Sequence, residues 1–320
     1  MIEAQALTKR YGDKTAVDGI TFTVQPGKVT GFLGPNGAGK STTMRMIMGL
    51  DRPTRGSVTV NGRPYEKFRS PLTEVGALLE AKAVHTGRSA RNHLRALAAT
   101  HGIPDKRVDE VIEMTGLQQV AKRRVGGFSL GMGQRLGIAV ALLGDPRTLI
   151  LDEPVNGLDP EGVLWVRNLV KYLASEGRTI FLSSHLMSEM ALTADHLIVI
   201  GRGRIITDGP VDQVIAQATT TTVRVRSPHA ARIAELVAGP GVTVASPEPG
   251  LLELHGIESP AVGEAAAREG LVLHELTPVR GSLEEAYMSL TSEAVEYHSS
   301  TVPGTHLDGP AAATAEEATR

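Results

Sequence analysis

The run Gly34-Pro35-Asn36-Gly37-Ala38-Gly39-Lys40-Ser41 constrains this chain more than any other part of it. It matches G-x-x-x-x-G-K-[ST], and it stands where that pattern carries meaning. An apolar strand-like run, Val29–Leu33, precedes it, and a helical pattern over Lys40–Leu50 follows. Glycines at 34, 37 and 39 let the backbone curl so that several N–H groups aim at one anion. The helix that begins at Lys40, Ser41 and Thr42 adds the partial positive charge of its N-terminus. In such a loop Lys40 reaches the β- and γ-phosphates of a nucleoside triphosphate, and the Ser41 hydroxyl ligates Mg²⁺. A glycine-rich turn with an ordinary lysine is the bland alternative, and the strand and helix flanks argue against it.

A second motif belongs to the same chemistry. Thr148-Leu149-Ile150-Leu151-Asp152-Glu153 is a short apolar strand that ends in two acids. The carboxyl ends of parallel strands line the ligand crevice of an α/β sheet. Asp152 can therefore join the Mg²⁺ shell while Glu153 polarises the attacking water. Alone, such a strand end is commonly just two solvated acids. Behind a phosphate loop the catalytic reading dominates.

The remaining pattern gives the architecture. Strand-like runs (Ile20–Val24, Val29–Leu33, Leu149–Leu151, Thr179–Ser183, Leu197–Ile200) alternate with helical ones (Val163–Ala174, Leu186–Thr193). This predicts an α/β fold with a P-loop NTPase core and a mostly parallel sheet over residues 1–217. Residues 84–135 are helical and rich in Arg and His, which marks a helical insertion. Residues 218–291 follow the order β-α-β-β-α-β: Thr222–Arg226, Ala230–Val237, Val242–Ala245, Leu251–His255, Ala261–Arg268 and Leu271–Leu276, then a last helix over Leu283–Leu290. That order predicts a small α+β accessory domain. Residues 292–320 are mostly Ala, Thr, Glu, Ser, Pro and Gly and are expected to form a disordered tail.

Composition removes several function classes. A net charge of −2 gives no general reason to bind nucleic acid, and zero cysteines exclude disulfides and thiolate metal sites. No run approaches the roughly 20 apolar residues that span a bilayer. The start, MIEAQALTKRYG, lacks the apolar centre of a signal peptide. A cytoplasmic protein is expected, with any membrane role supplied by a partner.

With these motifs in order, residues 1 to about 215 resemble the ATP-binding subunits of ABC transporters. The resemblance implies further roles. Tyr11 lies where the family stacks an aromatic on adenine. Phe128-Ser129-Leu130-Gly131-Met132-Gly133-Gln134-Arg135 resembles the signature sequence, so Ser129 and Gly131 are implied to bind the γ-phosphate of ATP on a second copy. Asn156-Gly157-Leu158-Asp159 resembles the loop that communicates between the two sites. His185 matches the histidine that contacts the γ-phosphate. A head-to-tail homodimer with ATP and Mg²⁺ sandwiched between copies follows, driving a separate integral-membrane permease from the cytoplasmic face. Arg88, Arg91 and Arg95 of the insertion are implied permease contacts, or simply a solvated helix face.

Two departures stand out. The family places a glutamine where this chain has Glu80, in Val75-Gly76-Ala77-Leu78-Leu79-Glu80. A carboxylate can still ligate Mg²⁺ but cannot donate a hydrogen bond, so slower or retuned hydrolysis is expected. The signature carries Leu130 and Met132, a variant similar to those of the drug- and antibiotic-export branch. The competing reading, a soluble ATP-dependent switch of the same fold acting on ribosomes or DNA, calls for paired domains, a long coiled coil or a basic patch. A nucleotide-binding regulator without hydrolysis is argued against by Glu153.

Overall fold

The computed structural model describes residues 1–79, 84–218, 222–279 and 281–291. Glu80 and the expected tail, 292–320, lie outside the described residues. The chain opens with β1 (Ile2–Tyr11) and β2 (Lys14–Val24), continues through β3 (Val29–Leu33) into α1 (Lys40–Ile47), and then forms β4 (Arg55–Val60), α2 (Pro71–Glu74) and β5 (Val75–Leu78). A helical stretch follows: α3 (Ala90–Thr100), α4 (Asp105–Met114) and α5 (Leu130–Leu142). Next come β6 (Thr148–Leu151), α6 (Pro160–Ser175), β7 (Thr179–Ser183), α7 (Met187–Thr193), β8 (His196–Gly201), β9 (Arg204–Pro210) and α8 (Val211–Ala218). The last part comprises β10 (Thr222–Arg226), α9 (Ala230–Val237), β11 (Thr243–Glu248), β12 (Leu251–His255), α10 (Ser259–Arg268), β13 (Glu275–Val279) and α11 (Leu283–Thr291).

These strands form three sheets. The central one has the order β5-β6-β7-β3-β8-β9 and is parallel except for β9. Every residue of β3, β6 and β7 is buried, as expected of parallel strands covered on both faces. A separate antiparallel sheet, β2-β1-β4, covers one face and was not expected as an independent element. Phe22 of β2 stacks on Phe32 and Phe181 of the central sheet, with centroids 5.1–6.1 Å apart across the trio. Helices α5 and α6 lie on the opposite face, and α3 and α4 pack against α5.

Helix α5 sits hard against β5 because glycine leaves it room. A Cβ on Gly76 would lie 1.9 Å from the Ala141 carbonyl oxygen, and one on Gly137 would lie 2.5 Å from Leu78 Cδ1. Side-chain caps set where α5 and α6 begin. Ser129 accepts from the Met132 N–H, and Asp159 accepts from the Gly162 N–H with Pro160 at the first helical position.

The third sheet, β11-β12-β10-β13, is wholly antiparallel and has its own apolar core beneath α9 and α10. Its final strand lies at Glu275–Val279, four residues beyond the expected start at Leu271. The apolar run at 271–273 is used otherwise. The Leu271 N–H closes the end of α10 on Ala266 O, and the Val272 carbonyl accepts from Ser227 Oγ. Helix α11 returns to the main core. Buried Leu283 joins Val211 and Val214 there, and the helix packs on α8 and α7. Among the described residues, no helix is long and apolar enough to cross a membrane.

Candidate functional site

Strand β3 ends at Leu33, and the chain turns through Gly34–Gly39 into α1. Gly37 and Gly39 hold φ of +82° and +110°, which L side chains rarely adopt. A Cβ on Gly34 would lie 2.4 Å from the Ile200 carbonyl oxygen, and one on Gly39 would lie 2.6 Å from that of Ala16. The loop is thus packed against its neighbours and borders a groove. Ala16, Pro35, Asn36, Gly37, Gly39, Lys40, Ser41, Thr42, Asp152 and Glu153 line that groove.

Lys40 Nζ donates to the carbonyls of Gly34 (2.6 Å) and Pro35 (3.3 Å), so the ammonium is held over the loop. Burial pushes its pKa below the usual lysine value, and the carboxylates of Glu153 and Asp152 partly oppose that. A triphosphate placed in the groove would meet this ammonium and compete with the Gly34 and Pro35 carbonyls for its protons.

Behind the loop lies a connected polar network. Ser41 Oγ donates to Asp152 Oδ2 at 2.8 Å, and Ser183 Oγ donates to Asp152 Oδ1 at 2.5 Å. The Glu153 N–H donates to Ser183 Oγ at 3.0 Å. His185 Nδ1 lies 2.6 Å from Glu153 Oε2, and the His185 N–H reaches the same oxygen at 3.3 Å. Two adjacent parallel strands, β6 and β7, deliver Asp152, Glu153, Ser183 and His185 at their carboxyl ends, and α1 supplies Ser41. Glu153 is non-glycine at φ +50°, a costly conformation of the kind that gathers at functional sites.

The structure therefore brings Lys40, Ser41, Asp152, Glu153 and His185 to one place. Sequence reasoning missed two members. Ser183 is fully buried and bonded to both acids, and Gln134 donates through Nε2 to the Glu153 carbonyl at 2.8 Å. Ser183 was legible only as the last residue of an apolar strand. Gln134 looked like ordinary helix.

Three other expected residues do not line this phosphate groove in the single chain. Ser129 and Gly131 do not line the groove; Ser129 caps α5, and a Cβ on Gly131 would lie 3.0 Å from the Gly157 carbonyl oxygen. Tyr11, 48% exposed, closes the β1–β2 hairpin. Its hydroxyl donates to Asp51 Oδ2 at 3.0 Å, and Lys9 Nζ stands 4.9 Å over its ring. Arg91 and Arg95 are ion-paired with Asp109 and Asp105 of α4, bracing the insertion internally.

Ser41 and Asp152 suit Mg²⁺, since a hydroxyl and a carboxylate already in contact are hard oxygen donors. Among the described residues no cluster of three or more His, Cys, Asp or Glu could hold a metal alone. An ion that takes most of its shell from phosphate and water fits that arrangement.

A nucleotide-hydrolase core of the phosphate-loop class is what this sheet order and this groove define. Residues 17–156 match the family model described as ABC transporter, and a model described only as a domain of unknown function matches 221–284. The bacitracin transport ATP-binding protein BcrA of Bacillus licheniformis is 44% identical over 67% of this chain and 71% of its own length. The uncharacterized ABC transporter ATP-binding protein YhcH of Bacillus subtilis is 35% identical over 92% of this chain and 97% of its own. A solved ATP-binding subunit of an ABC transporter superposes with a TM-score of 0.63 at 27% identity, covering 68% of this chain and 92% of that one. The chain belongs to the ATP-hydrolysing, ATP-binding subunits of ABC transporters.

Proposed function

We propose that this chain powers an exporter by closing and opening around ATP with a second copy of itself, attached to a separate membrane permease at the cytoplasmic face. The observation that carries this is the separation of two half-sites. The groove at Lys40 holds the phosphate cradle and the acids, while Ser129 and Gly131 lie outside its lining. One chain cannot complete both halves, and a two-fold arrangement in which each copy offers its signature segment to the other does.

In this reading the loop N–H groups of 34–39 and Lys40 bind the phosphates, and Tyr11 stacks on the adenine. Ser41 and Asp152 would hold Mg²⁺, which when bound neutralises charge developing on the transferred phosphoryl group. Glu80 is a further candidate ligand by its sequence position. Glu153 accepts the proton of the attacking water, and His185, held against Glu153, orients it and contacts the γ-phosphate. Ser129 and Gly131 of the second copy contribute donors only while the γ-phosphate remains. Their loss on hydrolysis opens the pair, a ligand acting through differential affinity for two states. The export direction rests on similarity to a Nod factor export ATP-binding protein of Burkholderia pseudomallei, 38% identical over 65% of this chain and 70% of its own length. The accessory unit is narrower than the expected 218–291: it is the sheet of β10 to β13 with α9 and α10, while α11 belongs to the ATPase core.

Size-exclusion chromatography of Glu153→Gln tests this. With ATP and Mg²⁺ the variant is expected to elute as a dimer, and Lys40→Ala as a monomer. A Glu153→Gln variant that stays monomeric at millimolar ATP contradicts the sandwich.

A further inference from the structure

Several contacts that the hydrolytic chemistry does not use join the signature segment to the Asn156–Asp159 loop. Leu130, at a position the family gives to glycine, is 52% exposed yet rests on Gly157. A Cβ on Gly157 would lie 2.3 Å from Leu130 Cδ2, and Gly157 holds φ +74°. One and a half turns deeper, the Arg135 guanidinium stacks 4.6 Å over the ring of Trp165. Both side chains also reach the end of α4: Arg135 Nη1 donates to Thr115 O at 3.1 Å and Trp165 Nε1 to Met114 O at 3.2 Å. The N-terminal half of α5 is thereby keyed to the Asn156–Asp159 loop at one point and to α6 at another.

This keyed unit holds the backbone of Glu153. Gln134, only 4% exposed, donates to the Glu153 carbonyl, and the Asn156 N–H donates to the same oxygen at 3.1 Å. The two donors come from the two keyed segments and converge on a peptide in a strained conformation. A shift of the unit would carry both donors, and so displace the carbonyl beside the carboxylate that holds His185.

We infer that Gln134 is a positioning residue through which engagement of this chain's signature segment with the second copy's nucleotide sets this chain's own Glu153. The inference rests on the sandwich reading above. It assigns Leu130, Arg135 and Trp165 to keeping the two loops in register and Gln134 to passing their position on. Occupancy of one site then governs hydrolysis at the other, a coupling between sites that appears as cooperativity.

The test is the ATPase rate of Gln134→Met against ATP concentration, beside wild type. Methionine keeps the length and burial but removes the donor. Wild type is expected to show a Hill coefficient above 1, approaching about 2 for two sites, and the variant one near 1. Its kcat falls by about tenfold or more while fluorescent-nucleotide affinity is retained. A purely packing role for Gln134 would lower the melting temperature without changing the Hill coefficient. An unchanged Hill coefficient in the variant, or none above 1 in wild type, overturns the inference. Glu153→Gln/Gln134→Met is expected to dimerise with ATP as Glu153→Gln does, so losing cooperativity while dimers persist supports the inference. Absence of dimers in Glu153→Gln itself sinks the sandwich reading and the inference with it.

Discussion

Ser183→Ala removes one hydroxyl that two catalytic acids share. The oxygen is fully buried, donates to Asp152 Oδ1 and accepts from the Glu153 N–H. A hydrogen bond to a charged group contributes about 1.5–3 kcal/mol and one between neutral groups about 0.5–1.5, so the deletion costs about 2–4.5 kcal/mol in all. For a chain of this size that lowers Tm by roughly 3–7 °C. The effect on rate is separate. Without the hydroxyl the Glu153 peptide loses an anchor on the β7 side, and a displacement near 1 Å at a catalytic base costs about 100-fold in kcat. ATP affinity is expected to stay within a few-fold, because Lys40 and the glycine loop are untouched. Differential scanning fluorimetry, fluorescent-nucleotide titration and phosphate release at saturating ATP measure the three quantities. A variant with wild-type Tm and a kcat within twofold of wild type would refute the shared-anchor argument.

Leu283→Ala, at a buried position where α11 meets α8, is expected to cost about 2–5 kcal/mol in urea unfolding, and a loss under 1 kcal/mol would mean that the helix does not hold there. Burial lowers the Lys40 pKa from 10.5, so between its folded value and 10.5 the unfolded chain binds more protons and stability rises with pH. Lys40→Met is accordingly more stable than wild type near neutrality, by a margin that narrows towards pH 10.5; a margin that widens contradicts the burial argument. Glu80→Gln restores the amide that the family carries and is expected to raise kcat at fixed Mg²⁺, with an unchanged rate and Mg²⁺ dependence counting against any role for the carboxylate.

The parts of this molecule that the sequence made legible are those written locally. Gly34–Ser41 carries its own turn, charge and helix start, and Leu149–Glu153 carries its own strand and acids. What escaped depends on partners far along the chain. β13 is fixed by pairing with β10, Glu275 opposite Arg226, and the apolar residues at 271–273 give no sign of that register. β1, β2 and β4 look like any short strands until Ile2 is set between Val24 and Val60. Gln134 and Ser183 matter through atoms 19 and 30 residues away in sequence, at Glu153. The arginines of α3 were legible as a charged face, but their partners Asp105 and Asp109 sit on the next helix.

The return of α11 to α8 makes the four-stranded unit an excursion rather than an appendage. The chain leaves the main core at Ala218 and rejoins it at Leu283, with Val211, Val214 and Leu283 closing the gap. A stop codon after residue 218, the cut that the change in sequence pattern invites, would leave those two valines without their cover. Splicing a short linker from α8 to α11 would remove the sheet and preserve the cover. The two truncations look alike on a sequence diagram, yet they differ by a whole helix of buried contact. An engineer who wants the motor without its accessory unit should therefore excise the middle and keep the end.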